Sequence, residues 1–342
     1  MQRALIAASL IFFGASASAQ AVPEGRTDAL PTIKSASTLV IVPALVRSQS
    51  GELVETLQAG DFKLTDNGVE QRVTIENVER QPLAVVVLMQ TGGAASRQFA
   101  NYEKLGTMLD YMMGSSTYRV ALATFDSQVE DLWDFTSNVF DLKDGTAHPE
   151  QGDSGASIYD AVNYGIDLLK KQPSSSRRIL LLFSQPQDVG SKAHVDDVVR
   201  RLGENNVTIY SVTFSPEKTW LKDQFTKPRH ENSPYQLSPD QPALLHTFDL
   251  STPLGVAIRA MQTNAASTIA SLSGGECVEF GGKADLERQL AILANHIPNR
   301  YTLTFRPNPD VAGFHSIQVQ IPKQPSLTVS FRTSYWETET AH

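Results

Sequence analysis

Three aspartates, Asp126, Asp153 and Asp188, have the side chains and the loop positions to hold a hard divalent cation. Such ions take carboxylate and hydroxyl oxygens in a tight cage, and three carboxylates from separate loops could build one. The plainer reading is solvated loop aspartates. Other chemistry has little to stand on. The chain has no Gly-x-Ser-x-Gly elbow, no phosphate-binding loop and no His-Glu-x-x-His pair, so it reads as a non-enzyme with no cofactor. His230 and His246 have no metal-ligand spacing. The single cysteine, Cys277, cannot form an internal disulfide. It reads as a small apolar side chain buried in a short strand, and nothing local supplies the cationic field of a reactive thiolate.

These residues act only where the fold puts them. The run Leu83-Ala84-Val85-Val86-Val87-Leu88-Met89 is nearly all apolar, the mark of a parallel strand buried on both faces. It ends in Gln90-Thr91-Gly92-Gly93-Ala94, the carboxyl end at which open α/β sheets place their ligand sites. Beyond it, helical spacing over 96–113, 157–171, 193–204, 254–272 and 283–297 alternates with strand runs at 118–125, 177–184, 206–213 and 276–280. A segment at 128–135 pairs back across an Asp126-Ser127 turn. This order predicts a doubly wound, mostly parallel α/β sheet with helices on both faces. Asp160, near the start of the 157–171 helix, is placed to favour the helix dipole. Strand patterns at 38–46, around the Asn67-Gly68 turn and at 73–78 precede this region, and 301–306, 315–321 and 326–334 follow it. Asn-Gly between strands favours a type I′ hairpin. Neither flank has enough strands for its own core, so the two are expected to form one small β-sandwich.

Specific motifs sharpen this. Ser154-Gly155-Ala156-Ser157-Ile158-Tyr159-Asp160-Ala161-Val162 resembles the Gly-Gly-Thr-Ala-Leu-Tyr-Asp-Ala turn of von Willebrand factor type A domains. Ile179-Leu180-Leu181-Leu182-Phe183-Ser184 leads into Gln185-Pro186-Gln187-Asp188, where that family has Ser-Asp-Gly-Glu-Asp. The Leu83 run ends where the family has Asp-x-Ser-x-Ser. The resemblance covers Leu83 to about Ile297, and exported bacterial proteins of this kind carry similar flanking strands. It implies a doubly wound fold and a metal-ion-dependent adhesion site at these three loops. The five positions that would supply its ligands are Gln90, Gly92, Ala94, Ala156 and Gln185. Two amides, two alanines and a glycine offer neither the charge nor the oxygens, so no metal is expected there.

The divisions read as follows: 1–19 signal peptide, 20–36 polar tail, 37–80 N-terminal strands, 81–298 α/β domain, 299–336 C-terminal strands and 337–342 tail. Met1-Gln2-Arg3, an apolar stretch from Ala4 to Gly14 and the small residues through Ala19 suit export with cleavage after Ala19. That implies a periplasmic or extracellular protein without membrane insertion. Net charge is −8, or −9 once Arg3 leaves (28 basic against 37 acidic residues), which argues against a nucleic-acid surface. The stretch 214–250 lacks periodicity and carries Trp220, Phe225, Tyr235 and Phe248. Long aperiodic loops are functional or disordered, and aromatic residues there are candidate anchors. Two functions remain. One is a protein or cell-surface interaction module whose contact face is Gln90, Thr91, Gly92, Ala94, Ala156, Ser157 and Gln185 together with that loop. The other is a structural or assembly protein that uses sandwich edges while this face is inert.

Overall fold

The computed structural model describes residues 39–77, 81–114, 116–214, 251–308 and 311–338. The segments read as signal peptide and N-terminal tail, residues 339–342, Trp220, Phe225, His230, Tyr235, His246 and Phe248 lie outside the described residues, whereas Glu337, assigned by the sequence to the C-terminal tail, is the last residue of a strand paired into the sheet.

The N-terminal flank forms β1 (Val40–Arg47), β2 (Lys63–Asp66), β3 (Val69–Gln71) and β4 (Thr74–Glu76). Asn67 (φ 45°) and Gly68 (φ 83°) link β2 to β3. Positive φ at both central residues is the type I′ geometry that the Asn-Gly pair favours. The central region then forms β5 (Leu83–Gln90), α1 (Leu105–Met113), β6 (Tyr118–Phe125), β7 (Val129–Thr136), α2 (Lys143–Ala147), α3 (Ile158–Lys170), β8 (Arg177–Ser184), α4 (Val195–Glu204) and β9 (Val207–Phe214). It closes with α5 (Ser251–Thr263), α6 (Ala265–Ser273), β10 (Cys277–Phe280) and α7 (Lys283–His296). The C-terminal flank is β11 (Tyr301–Phe305), β12 (Gly313–Gln320), β13 (Thr328–Phe331) and β14 (Ser334–Glu337).

The central sheet runs β10-β9-β8-β5-β6-β7, and only β7 is antiparallel to its neighbour. β5 lies in the middle, and the chain winds first to one side of it and then to the other. Its alternate residues feed two cores. Ala84, Val86 and Leu88 pack with α3, α4, α5 and α6, whereas Val85, Val87 and Met89 pack with α1 and α7. A strand buried on both faces has to be apolar at every position, hence the unbroken run.

Three elements differ from the sequence expectation. The 96–113 helix is a 3₁₀ segment, Gly93–Asn101, followed by α1. Tyr102 interrupts it by burying its ring against Phe183, with centroids 5.9 Å apart. The 254–272 helix is two helices broken at Asn264 (φ −148°), whose side chain accepts from Ser267 N and caps α6. Asparagine prefers that role to a helix interior. The 326–334 strand ends at Phe331, and a further strand follows. The chain crosses there from one sheet to another, since β13 pairs with β1 and β14 with β12.

The flanks interleave as expected. One sheet is β13-β1-β11-β4 and the other β14-β12-β2-β3, each mixing both ends of the chain. Val42, Leu303, Leu64, Val319 and Tyr335 share their core. The sandwich meets the α/β region tightly, because a Cβ on Gly203 at the end of α4 would lie 2.6 Å from Trp336 N.

A second buried cluster sits below the sheet. Glu276 accepts from Arg300 (2.7 Å) and His296 Nδ1 (3.0 Å), and the Arg300 guanidinium lies 5.4 Å from the Tyr210 ring centre. Burial pushes the Glu276 carboxyl upward, but His296 and Arg300 outweigh it and hold it at about 2, against an ordinary 4.5. A depressed carboxylate adds stability that is complete above its unfolded value and lost as pH falls through its folded one. The stability gap between wild type and Glu276→Gln is expected to shrink between pH 4.5 and about 2. Urea unfolding at stepped pH checks this, and a gap that stays constant through that window contradicts the assignment.

Cys277 departs from the sequence reading. It is exposed at the start of the edge strand β10 rather than buried, with its sulfur 3.9 Å from the Thr213 hydroxyl. An edge strand has a neighbour on one side only, so its first residue is left in solvent.

Candidate functional site: the carboxyl ends of β5, β6 and β8

β5 delivers Gln90 at its last position, with no solvent exposure. The side chain turns toward the neighbouring β8 loop. Its Oε1 accepts from Gln185 N (2.8 Å), and its Nε2 donates to Gly92 O (2.9 Å) and to Gln185 Oε1 (3.3 Å). A backbone N–H facing Oε1 fixes which amide atom is which. Gln185 Nε2 then donates to Gln187 O (3.0 Å). The two amides tie the β5 loop to the β8 loop directly.

The remaining loops close on the same point. A Cβ on Gly92 would lie 2.3 Å from Gly155 O and 2.7 Å from Asp126 Cβ. One on Gly152 would lie 2.6 Å from Asp126 Oδ2, and one on Gly155 2.6 Å from Ser127 N. Only glycine permits such approach between backbones. The seam is sewn by Gly93 N to Asp153 O (2.7 Å), Gly152 N to Thr91 O (3.2 Å) and Ser157 N to Asp126 O (2.7 Å). Ser157 donates its hydroxyl to Ser127 O (2.9 Å), and Thr91 donates to Phe125 O (3.1 Å). Ala156 exchanges backbone bonds with Val189 (2.9 Å each way).

Each of the three aspartates is engaged by the chain. Asp126, buried, accepts from Gln128 N (3.1 Å) and Asp153 N (2.9 Å). Asp153 accepts from Ser127 N (3.2 Å) and Gly155 N (2.7 Å), and hydrogen bonding with Ser127 and then Gly155 holds its carboxyl below the ordinary value. Asp188 turns instead to α3, accepting from Tyr159 N (3.1 Å) and Ser191 Oγ (2.6 Å). Burial raises its carboxyl, only partly offset by those two bonds. Asp160 holds the segment before α4 through Lys192 N and Ala193 N (2.8 Å each), a structural role beyond the helix dipole. Among the described residues no three carboxylate, histidine or cysteine side chains come together as a cation site, so the three aspartates do not converge.

Residues 96–238 match the sequence model of the von Willebrand factor type A domain. This chain carries a von Willebrand factor type A domain. Similar solved structures include an aerotolerance-related membrane protein from Bacteroides fragilis (12% identity, 62% of this chain and 98% of that one, TM-score 0.39). Others are BatB from Bacteroides thetaiotaomicron (10% identity, 62% and 99%, TM-score 0.36) and the SpRpn10 VWA domain (11% identity, 61% and 93%, TM-score 0.36). No curated protein matches.

The cation that this family resemblance implies does not fit the residues present. Gln90 and Gln185 spend their amide groups on each other and on backbone, and Gly92 has no room for a hydroxyl-bearing side chain. Carboxylates near the seam already accept backbone N–H groups. Of the seven residues proposed as a contact face, Gln90, Thr91, Gly92, Ala156 and Ser157 are buried, and Ala94 and Gln185 are half-buried. Burial follows from the closed seam, which the spacing of the residues does not reveal. Exposed positions at this end include Gly93, Asp153, Ser154, Gln187, Gly190 and Val189, the last 49% exposed. Beside the seam lies a groove of about 400 Å³ lined by Thr91, Asp126, Glu130, Asp131, Trp133 and His148, among others. The sequence reading missed it, because its walls come from β7 and the 144–153 segment, which carry no motif.

Proposed function

We propose that the protein is an exported, non-enzymatic interaction module whose type A domain engages a protein or cell-surface partner without a bridging metal ion. The observation that carries this is the Gln90–Gln185 amide pair set over a seam too tight for a Cβ at Gly92. Type A domains serve as interaction or adhesion modules. Here the loops that a cation would otherwise organise are held by the chain's own hydrogen bonds. The interaction reading is favoured over edge-strand assembly by strand length: β3 and β4 have three residues each, β13 and β14 four. Short edge strands are poor templates for pairing with another chain. Export rests on the leader-like N-terminus, and among the described residues no helix is long and apolar enough to cross a membrane.

Two measurements on the chain from residue 20 onward test this. Thermal unfolding in EDTA, then in excess Mg²⁺, Mn²⁺ or Ca²⁺, should give one midpoint throughout, because a ligand that binds the native state must raise it by mass action. A rise of several degrees with one ion overturns the metal-free reading. Capture from a bacterial envelope extract should be equal in EDTA and in Mg²⁺, and Val189→Arg should weaken it at an unchanged midpoint. Capture that needs Mg²⁺, or that ignores Val189→Arg, counts against this face.

A further inference from the structure

His315 lies inside the sandwich on β12, 3% exposed, and both of its ring nitrogens face acceptors. Nδ1 is 2.7 Å from Asp66 Oδ1 on β2, and Nε2 is 2.5 Å from Val311 O in the segment entering β12. A neutral imidazole donates from one nitrogen only, and the imidazolium donates from both. The pair of contacts therefore matches the charged ring. Tyr335 on β14 commits its hydroxyl proton to Asp66 Oδ2 (2.7 Å) while standing 3.0 Å from Nδ1. Asn67 Nδ2 approaches Nδ1 only at 3.3 Å, and Asn67 Oδ1 accepts from Ser316 N (3.0 Å).

We propose that His315 is a proton-operated latch: protonated, it ties β2 and β14 to the segment entering β12, and loss of its Nε2 proton releases that segment. Deprotonation leaves Nδ1–H on Asp66 and turns the Nε2 lone pair toward the Val311 carbonyl, so attraction becomes repulsion. The groups facing the ring are Asp66 from β2, Tyr335 and Glu337 from β14, and the Val311 carbonyl. β13 carries no titratable side chain. Phe314, the neighbour of His315 in the strand, packs with the α5 and α6 core. Successive strand residues point to opposite faces, so α5 lies across the strand from the ring. Glu337 is 2% exposed, with its Oε2 unpaired among the described residues. The charge of this second buried carboxylate also favours the imidazolium. Burial works against the charged ring, but Asp66, Val311 and Glu337 outweigh it and raise His315 above its ordinary 6.5.

A group raised in the folded state gives stability that is complete below its unfolded value and lost as pH rises through its folded one. The window therefore opens at about 6.5 and extends upward. Titration of the His315 ring proton by NMR on the intact chain, assigned with His315→Gln, should show a midpoint above 6.5. Amide exchange, corrected for its intrinsic pH dependence, should then lose protection across residues 311–320 relative to β5, tenfold for each pH unit within the window. A midpoint at or below 6.5, or equal changes in β12 and β5, overturns the latch. Should His315→Gln fail to fold, the exchange comparison on wild type alone decides the matter.

Discussion

Replacing Gly92 by the serine of the type A pattern is expected to damage the domain rather than restore its metal site. The new Cβ would sit 2.3 Å from Gly155 O, 2.7 Å from Asp126 Cβ and 3.0 Å from Asp153 O. Two of these are backbone atoms fixed by neighbouring loops, so no side chain can swing aside. Overpacking of this kind costs up to about 3 kcal/mol. In a domain of this size each kcal/mol lowers the midpoint by about 2–4 °C, so a fall of up to about 6–12 °C is expected. Gly92→Ala should cost nearly as much, because the Cβ and not the hydroxyl collides. Gly60→Ala, with nothing within 4 Å of its added carbon, should be close to neutral. Thermal unfolding of the three variants, with and without Mg²⁺, checks this. A stable Gly92→Ser protein whose midpoint rises with Mg²⁺ would show that the seam opens and that this face can take a cation.

The second large effect is expected far from that face. Arg332 is 3% exposed and stands at the C-terminal end of α4. Its guanidinium donates to Gly203 O (2.6 Å), Leu202 O (3.4 Å), Ile41 O (3.1 Å), Asn206 Oδ1 (2.9 Å) and Ser334 O (2.8 Å). The last carbonyls of a helix lack intrahelical donors and carry the negative end of its dipole, so a buried cation satisfies them. Burial lowers Arg332 to about 10, and it remains charged at neutral pH. One side chain thus joins β1, β14 and α4, which binds the sandwich to the α/β region. Arg332→Met keeps much of the volume and leaves buried carbonyls unpaired, each costing about 1–3 kcal/mol. A loss of about 3–5 kcal/mol is expected, the range for breaking a buried charged network. Urea unfolding should also split into two transitions as the regions uncouple. One transition with a shift under about 1 kcal/mol would mean that the junction rests on apolar contact instead.

The central sheet was legible because its chemistry is local. A strand such as β5, buried on both faces, has to be apolar throughout, and Asn67-Gly68 specifies its turn by backbone preference alone. Both features survive in any chain that carries them. Helix breaks were less legible: 96–113 reads as one helix by periodicity, yet the burial of Tyr102 against Phe183 divides it. Strand 326–334 likewise divides at Phe331, because the next strand belongs to the other sheet. The misreading of Cys277 has the same origin, since an edge position is a property of sheet order and not of the four residues around it.

By itself the sequence determined the fold class, the interleaved flanks and the residue types that stand at Gln90, Gly92, Ala94, Ala156 and Gln185. Residue type alone decides whether a position can ligate a hard cation. Only the tertiary structure decided what stands there instead. Gln90 and Gln185 are 95 residues apart in the chain and bond to one another. Gly92 needs to be glycine because of Gly155, and His315 is fastened by an aspartate 249 residues away. Such contacts depend on the distance between loops that the sheet brings together, and no pattern within a single segment records that distance.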